Sequence, residues 1–390
     1  MKRYLELFRR MDWLLMAAMG LLAIGSVCFI YSASYPGPGQ VATARAHLPM
    51  WQMQIVWFGV GLAVCLVTAL LDYRLVCQWA TVWYAIAVGL LVIVLLVGVK
   101  VYGARRWLGV GSLGIQPAEI AKLAVIIAVS YYLFHRSPES RRRWRTIWSV
   151  LGMVGVPLVL IVLEPDLGSA LVLMPIGFGL MFAAGVRVKH LVLAALLAAA
   201  VGAGVLPVVW KMREQAAERA GKKKRPHYQK ERLLVFLNPD HDPLNAGWNL
   251  NQSLIAVGSG GLTGKGYLQG TQNLLGNLPR SVTPNDFLFS VIAEEKGFLG
   301  SVSVLGLYGV ILFRGLRIAA EARDRLGMLL AAGIVAMLFC HVFINVGMTI
   351  GLMPITGLPL PLLSYGGSFV LATMTALGLL QNIWIHRRSD

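Results

Sequence analysis

An all-α polytopic integral membrane protein, with about ten transmembrane helices and one long extracytoplasmic loop, is predicted by three features of the 390-residue sequence. Hydrophobic residues make up 57% of it and charged residues 14%, with a mean hydropathy of +0.67, outside the range of a soluble globular domain. Apolar runs long enough to cross a hydrocarbon core of roughly 30 Å recur along its whole length. The basic residues gather in short clusters between those runs. The net charge of +17 is therefore explained by topology and lipid headgroups, and no nucleic-acid partner is implied.

Ten spans can be drawn: Trp13 to Ala33, Ile55 to Leu71, Ala80 to Val99, Ile115 to Phe134, Ile147 to Leu163, Ser169 to Ala184, Leu191 to Trp210, Phe287 to Phe313, Met328 to Gly351 and Ser364 to Ile385. The first follows a basic segment and imitates a secretory signal, with Ser32-Ala33-Ser34 as a loose cleavage site. Its apolar run is longer than the roughly 7–15 residues of a signal, so an uncleaved helix is expected. With the N-terminus in the cytoplasm, cytoplasmic segments hold 18 Lys and Arg residues against 4 in the short outer connections, which predicts that both termini are cytoplasmic. Cys28, Cys65, Cys77 and Cys340 are scattered in or beside the spans with no paired spacing and read as small packing residues. No internal repeat suggests a transporter built from two halves.

The chain reads as one membrane domain, residues 1–390, interrupted by a long outer loop at 211–285. Lys211 to Lys230 is charged and helix-compatible, either an interfacial helix or a solvated linker. Leu233 to Leu237 is apolar enough to dip toward the bilayer, after which Pro and Gly break regular structure. In NPDHDP, Asp240 and Asp242 fit a turn whose side chains bond nearby amides. The apolar flanks also suit a general base, because a carboxylate near hydrocarbon gains proton affinity. GSGGLTGKG, Gly258 to Gly266, fails the phosphate-loop spacing and has Gly266 where a hydroxyl is needed, so close backbone packing or a hinge is expected.

Ionisable residues inside spans must face a polar interior or one another. Glu119 and Lys122 share a helix face, and Asp166 lies in the EPDLG turn joining the fifth and sixth spans; a Lys122–Asp166 pair with Glu119 nearby is expected, either functional or fixing helix packing. Glu164, Glu294 and Glu295 read as packing or headgroup contacts. Arg105 and Arg106 are placed to meet anionic groups at the outer leaflet, a lipid headgroup or a substrate phosphate. His341 and Asn345, one turn apart with no third ligand, suit an interhelical hydrogen bond better than a metal. The Pro- and Gly-dense segment from Gly351 to Ser368 suggests the wall of a groove.

Taken together, RRW, QPAEIAKLA, EPDLGSA, FLNPDHDPLNAGWNLNQS, GSGGLTGKG, NDFLFSVIAEEKGFLG and GLMPITGLPLPLLSYGGS resemble the SEDS family of bacterial cell-shape, division and sporulation proteins, from the first span to the last. GWNLNQSLIAVGSGGLTGKGYLQGTQ is more similar to the elongation branch, RodA, than to the division branch, FtsW. The resemblance implies a ten-span peptidoglycan glycosyltransferase that polymerises lipid II at the outer face of the cytoplasmic membrane, working with a class B penicillin-binding transpeptidase and other elongation-complex membrane proteins. It implies that the essential loop aspartate is Asp242, and that the intramembrane pair is Lys122 and Asp166 with Glu119 in the same motif. Asn245, where relatives commonly carry a small residue, and the basic KKKR run depart from the family pattern. Asp242 is expected as base or metal ligand, and Arg105, Arg106 or a divalent cation, Mg or Mn, as the source of positive charge for the leaving pyrophosphate; no organic cofactor is expected. A lipid II flippase, with a path lined by Glu119, Lys122 and Asp166, and a non-catalytic scaffold for the transpeptidase are the rival readings.

Overall fold

The structure is a computed structural model; it describes residues 2–35, 49–101, 104–109, 114–141, 143–219, 232, 234–236, 238, 242, 246–278 and 282–387. In chain order the elements are α1 (Lys2–Arg9), α2 (Trp13–Ser34), α3 (Met50–Leu70), α4 (Tyr73–Gln78), α5 (Ala80–Val97), a two-stranded antiparallel ribbon of β1 (Val99–Val101) and β2 (Ala104–Trp107), and α6 (Pro117–Phe134). They continue with α7 (Pro138–Arg141), α8 (Trp144–Leu163), α9 (Leu167–Ala183), α10 (Val188–Arg219), α11 (Ala246–Ser259), α12 (Thr271–Leu274), α13 (Thr283–Asp286), α14 (Leu288–Ala320), α15 (Arg325–Thr349) and α16 (Gly367–Ile385).

Among the described residues, eight helices are long and apolar enough to cross a membrane, and two shorter apolar helices, α9 and the start of α10, stand at the remaining expected spans. The spans differ in what surrounds them. Most of α6, α15 and α16 is buried by protein, whereas α3, α5 and α14 turn most of their apolar surface outward. Alanines at 118, 121, 124 and 128 let neighbours approach α6 closely, as small residues do where helices pack without a hydrophobic driving force. The two ends of the chain meet: the Asp12 amide donates to Gln381 Oε1 at 2.9 Å, Arg314 pairs with the Asp12 carboxylate at 2.6 Å, and Met11 packs with Ile385.

The described residues of the long loop include regular structure. Residues 211–219 extend α10, while 220–231, with the KKKR run, lie outside the described residues. Where irregular backbone was expected, α11 forms, because Leu250, Ser253 and Ala256 recur on one helical face and bury it against α14 and α15. Ser253 Oγ lies 2.7 Å from Ser290 Oγ and donates to the Thr349 carbonyl at 2.8 Å.

GSGGLTGKG then docks where α14 is interrupted. Gly297 has φ +63°, a left-handed conformation that breaks the helix. Backbone hydrogen bonds join Lys265 N to Glu294 O and Gly266 N to Glu295 O, both at 3.0 Å, and Phe298 N to Gly261 O at 2.8 Å. Glu294 pairs with Lys265 at 2.7 Å and accepts from Thr271 Oγ1 and the Gln272 amide, while Glu295 accepts from Ser32. Both carboxylates thus fasten the loop to the bundle. A β-carbon on Gly260 would overlap the Ala293 carbonyl, whereas Gly258 has open space around it. Gly260→Ala is therefore expected to cost about 1–3 kcal/mol and lower the thermal midpoint, with Gly258→Ala unchanged, in melting curves of the purified protein.

Candidate active site

The deepest charges belong to α6 and α15. Pro117 opens α6 at a position where its missing N–H costs nothing, which sets Glu119 in the first turn and Lys122 one turn further. Lys122 is 0% and Glu119 4% exposed. Lys122 Nζ donates to Glu119 Oε1 at 2.8 Å and lies 2.9 Å from His341 Nε2. An ammonium has no acceptor to offer, so His341 accepts at Nε2 and carries its proton on Nδ1, which faces the Pro359 carbonyl at 3.4 Å. Lys122 thus has Glu119 and His341 as its partners, where the sequence led to a Lys122–Asp166 pair, because Asp166 is engaged as the cap of α9.

Asp166 instead caps α9, accepting from the Ser169 amide at 3.2 Å, Ser169 Oγ at 3.0 Å and Gln116 Nε2 at 3.0 Å. Its negative charge adds to the rise that burial imposes on the Glu164 and Asp286 carboxyls. Gln116 in turn uses its amide to reach Ser368 Oγ at 3.2 Å, so the QPAE turn is fixed to the SYGGS segment.

Asp286 and Arg232 join this cluster and were not singled out from the sequence. Gly357, at φ +73°, leaves no side chain between them: a β-carbon there would lie 3.1 Å from an Arg232 guanidinium nitrogen and 3.3 Å from Asp286 Oδ2. Asn345 holds the wall together, donating to the Asp286 carbonyl at 3.0 Å and the Leu358 carbonyl at 2.6 Å. Burial pushes the Asp286 carboxyl up to about 6, against the opposing pull of Arg232 and Arg106. Asp242 is half-buried in a bend whose carbonyl accepts from the Gly247 amide at 3.0 Å, just before α11. Val235 and Leu250, seven and eight residues either side of it, are both buried against Phe287, Met348 and Ile355. The Asp242 segment is thereby anchored twice to the elements that carry Asp286 and Gly357.

Residues 12–389 match the family described as "Cell cycle protein", which joins FtsW, RodA and SpoVE. The chain belongs to the SEDS family. Peptidoglycan glycosyltransferase MrdB of Escherichia coli is 36% identical over 368 residues, covering 94% of this chain and 91% of the relative. Peptidoglycan glycosyltransferase RodA of Treponema pallidum is 35% identical, covering 95% and 97%. A solved structure described as the structural coordination of polymerization and crosslinking by a peptidoglycan synthase complex superposes with a TM-score of 0.77 at 31% identity, covering 97% of this chain and 99% of that one.

In this SEDS chain Arg105 and Arg106 are both committed to backbone. Arg105 donates to the Leu96 carbonyl at 2.8 Å, at the negative end of the α5 dipole. Arg106 donates to the carbonyls of Glu164, at 3.3 Å, and Pro165, clamping the EPDLG turn. Part of its five-donor fork remains for other acceptors. Among the described residues no three His, Cys, Asp or Glu side chains converge as a metal cage.

Glu164 is 0% exposed, and among the described residues neither carboxylate oxygen has a hydrogen-bond partner. Burial pushes it up to about 8, Asp166 adds to the rise and Arg106 opposes it. The folded state therefore holds Glu164 neutral while the unfolded chain ionises it, so stability falls as pH rises from about 4.5 to about 8 and is level beyond. Glu164→Gln should match the wild type below that window and melt at higher temperature above it; equal melting points at pH 8.5 would refute the assignment.

Proposed function

We propose that this chain is a peptidoglycan glycosyltransferase of the cytoplasmic membrane, polymerising lipid II at the outer face during elongation, beside a class B penicillin-binding transpeptidase and other elongation-complex membrane proteins. The observation that carries the reading is the anchoring of the Asp242 segment, through Val235 and Leu250, to the wall that holds Asp286, Arg232 and, through electrostatics, Asp166 and Arg106. A carboxylate for proton transfer and guanidinium groups for anion stabilisation thus share one end of the bundle. Topology supports the outer placement. The opposite end gathers both termini with Arg74, Arg314, Arg317 and Arg387, the basic side that faces the cytoplasm.

In the reaction, the 4-hydroxyl of a GlcNAc attacks the anomeric carbon of a MurNAc. A carbon–oxygen bond forms to O4, the bond to the undecaprenyl pyrophosphate oxygen breaks, and the pyrophosphate leaves with the electron pair. Asp242 takes the hydroxyl proton, and Arg106 and Arg232 offset the charge that develops on the leaving group. Asp286, ionised above about pH 6, keeps that pair of guanidiniums from carrying uncompensated charge between turnovers. The transport alternative needs mid-membrane charges open to a path, whereas Lys122, Glu119 and His341 are closed on one another.

The test is glycan synthesis from purified lipid II in detergent, with the protein alone and fused to a class B transpeptidase. Asp242→Asn is expected to lower the rate about 10²–10⁴-fold with the melting curve unchanged. Full activity in Asp242→Asn would remove it as the base.

A further inference from the structure

A groove that the chemistry above leaves unused lies at the other end of α6. It is bounded by the first turn of α5, the last turn of α6 and the middle of α8, and its volume is about 380 Å³. That is the size of a small-ligand site, roughly 300–1,000 Å³. Its depth comes from two small residues, Ala80 and Ala128, buried where larger side chains would have filled the space. Tyr84 forms part of the wall with its polar end already occupied, the hydroxyl donating to the Met153 carbonyl at 2.9 Å. Ala80, Ala128 and the Tyr84 ring thus make an apolar floor, while the exposed Thr81, His135 and Arg136 supply a polar edge.

One fixed cation stands at the mouth. Arg136 is exposed, with its guanidinium 4.7 Å from the centroid of the Tyr132 ring, and among the described residues no carboxylate lines the groove. Trp83, Val82 and Phe134 around it are exposed apolar side chains on spanning helices, so the groove opens toward lipid. Ten residues of α6 separate Tyr132 from Lys122, about 15 Å along the axis, which puts the groove in the opposite leaflet from the candidate active site. This leaflet end also bears Arg141, Arg143 and Arg145. The negatively charged cytoplasmic leaflet presents anionic headgroups at this level, and basic pockets between spanning helices hold them.

We propose that the groove between α5, α6 and α8 is a binding site for an anionic phospholipid, with an acyl chain against Ala80, Ala128 and Tyr84 and the phosphate on Arg136. Charge complementarity selects this occupant over a zwitterionic lipid, and the apolar floor selects it over a soluble phosphate. The site rests on the proposed orientation, with this end cytoplasmic, and not on the catalytic assignment.

Native mass spectrometry of the full-length protein in detergent, with equimolar phosphatidylglycerol and phosphatidylcholine of the same chain length, tests it. The wild type is expected to retain phosphatidylglycerol about five-fold over phosphatidylcholine. Arg136→Gln should bring that ratio close to one, Arg136→Lys should keep most of it, and Thr81→Trp, which fills the mouth from the exposed side of α5, should lower retention of both lipids. An unchanged ratio in Arg136→Gln, unchanged occupancy in Thr81→Trp, or displacement of phosphatidylglycerol by inorganic phosphate or undecaprenyl phosphate would overturn the proposal.

Discussion

A lysine ammonium with no exposure to solvent, Lys122, is the constraint around which this bundle is arranged. Taking such a charge out of water costs several kcal/mol, recovered only by close and well-aligned partners. Glu119 supplies one from the same helix; His341, 219 residues away, supplies the other. His341 in turn faces the Pro359 carbonyl, and Asn345, one turn along, holds the Leu358 and Asp286 carbonyls. A single charge thereby sets the register of α6 against α15 and of both against the GLPLP segment. That segment is irregular backbone at membrane depth, tolerated because protein satisfies it: Tyr308 donates to the Pro361 carbonyl at 2.5 Å and Ser26 to the Leu363 carbonyl at 2.6 Å.

The end of the bundle that carries Asp286 and Asp242 is built on this register. Once the GLPLP segment is fixed, Gly357 brings Arg232 and Asp286 together, and Ile355 completes the small apolar core that pins Val235 and Leu250. The polar loop is consequently not an appendage. Its α11 helix, the GSGGLTGKG turn and the Glu294–Lys265 pair tie it to α14 at the break made by Gly297. The packing of Val235 and Leu250 on either side of Asp242 suits the role proposed for its carboxylate, because misplacement of a base by an ångström forfeits much of its effect.

Much of this was legible in the sequence, for identifiable reasons. The spans were, because hydrocarbon thickness fixes length and composition together; Trp13–Ser34 and Ala80–Val97 fall within two residues of their expected ends. The close-packed role of GSGGLTGKG followed from spacing that fails as a phosphate loop. The partner of Lys122 did not follow: helical periodicity places Glu119 on its face, but whether Asp166 or His341 completes the set depends on how α15 and α9 dock. Helix α11 was hidden by its Pro- and Gly-rich surroundings, although Leu250, Ser253 and Ala256 carried its period. Asp286 was not singled out, although it lies within the NDFLFS motif. Its signal was an acid directly preceding an apolar run, where desolvation is costly.

The central claim is that the Lys122 network serves the site as well as the bundle, and a charge-removal series measures it most directly. Lys122→Met and Glu119→Met, singly and together, would be compared for melting temperature and for glycan synthesis from purified lipid II. Each single change leaves a buried charge without its partner and should cost about 3–5 kcal/mol, whereas the double change removes both charges. The account predicts that the double variant recovers most of the lost stability but not the activity. Recovery of both would reduce the network to helix packing and contradict the claim.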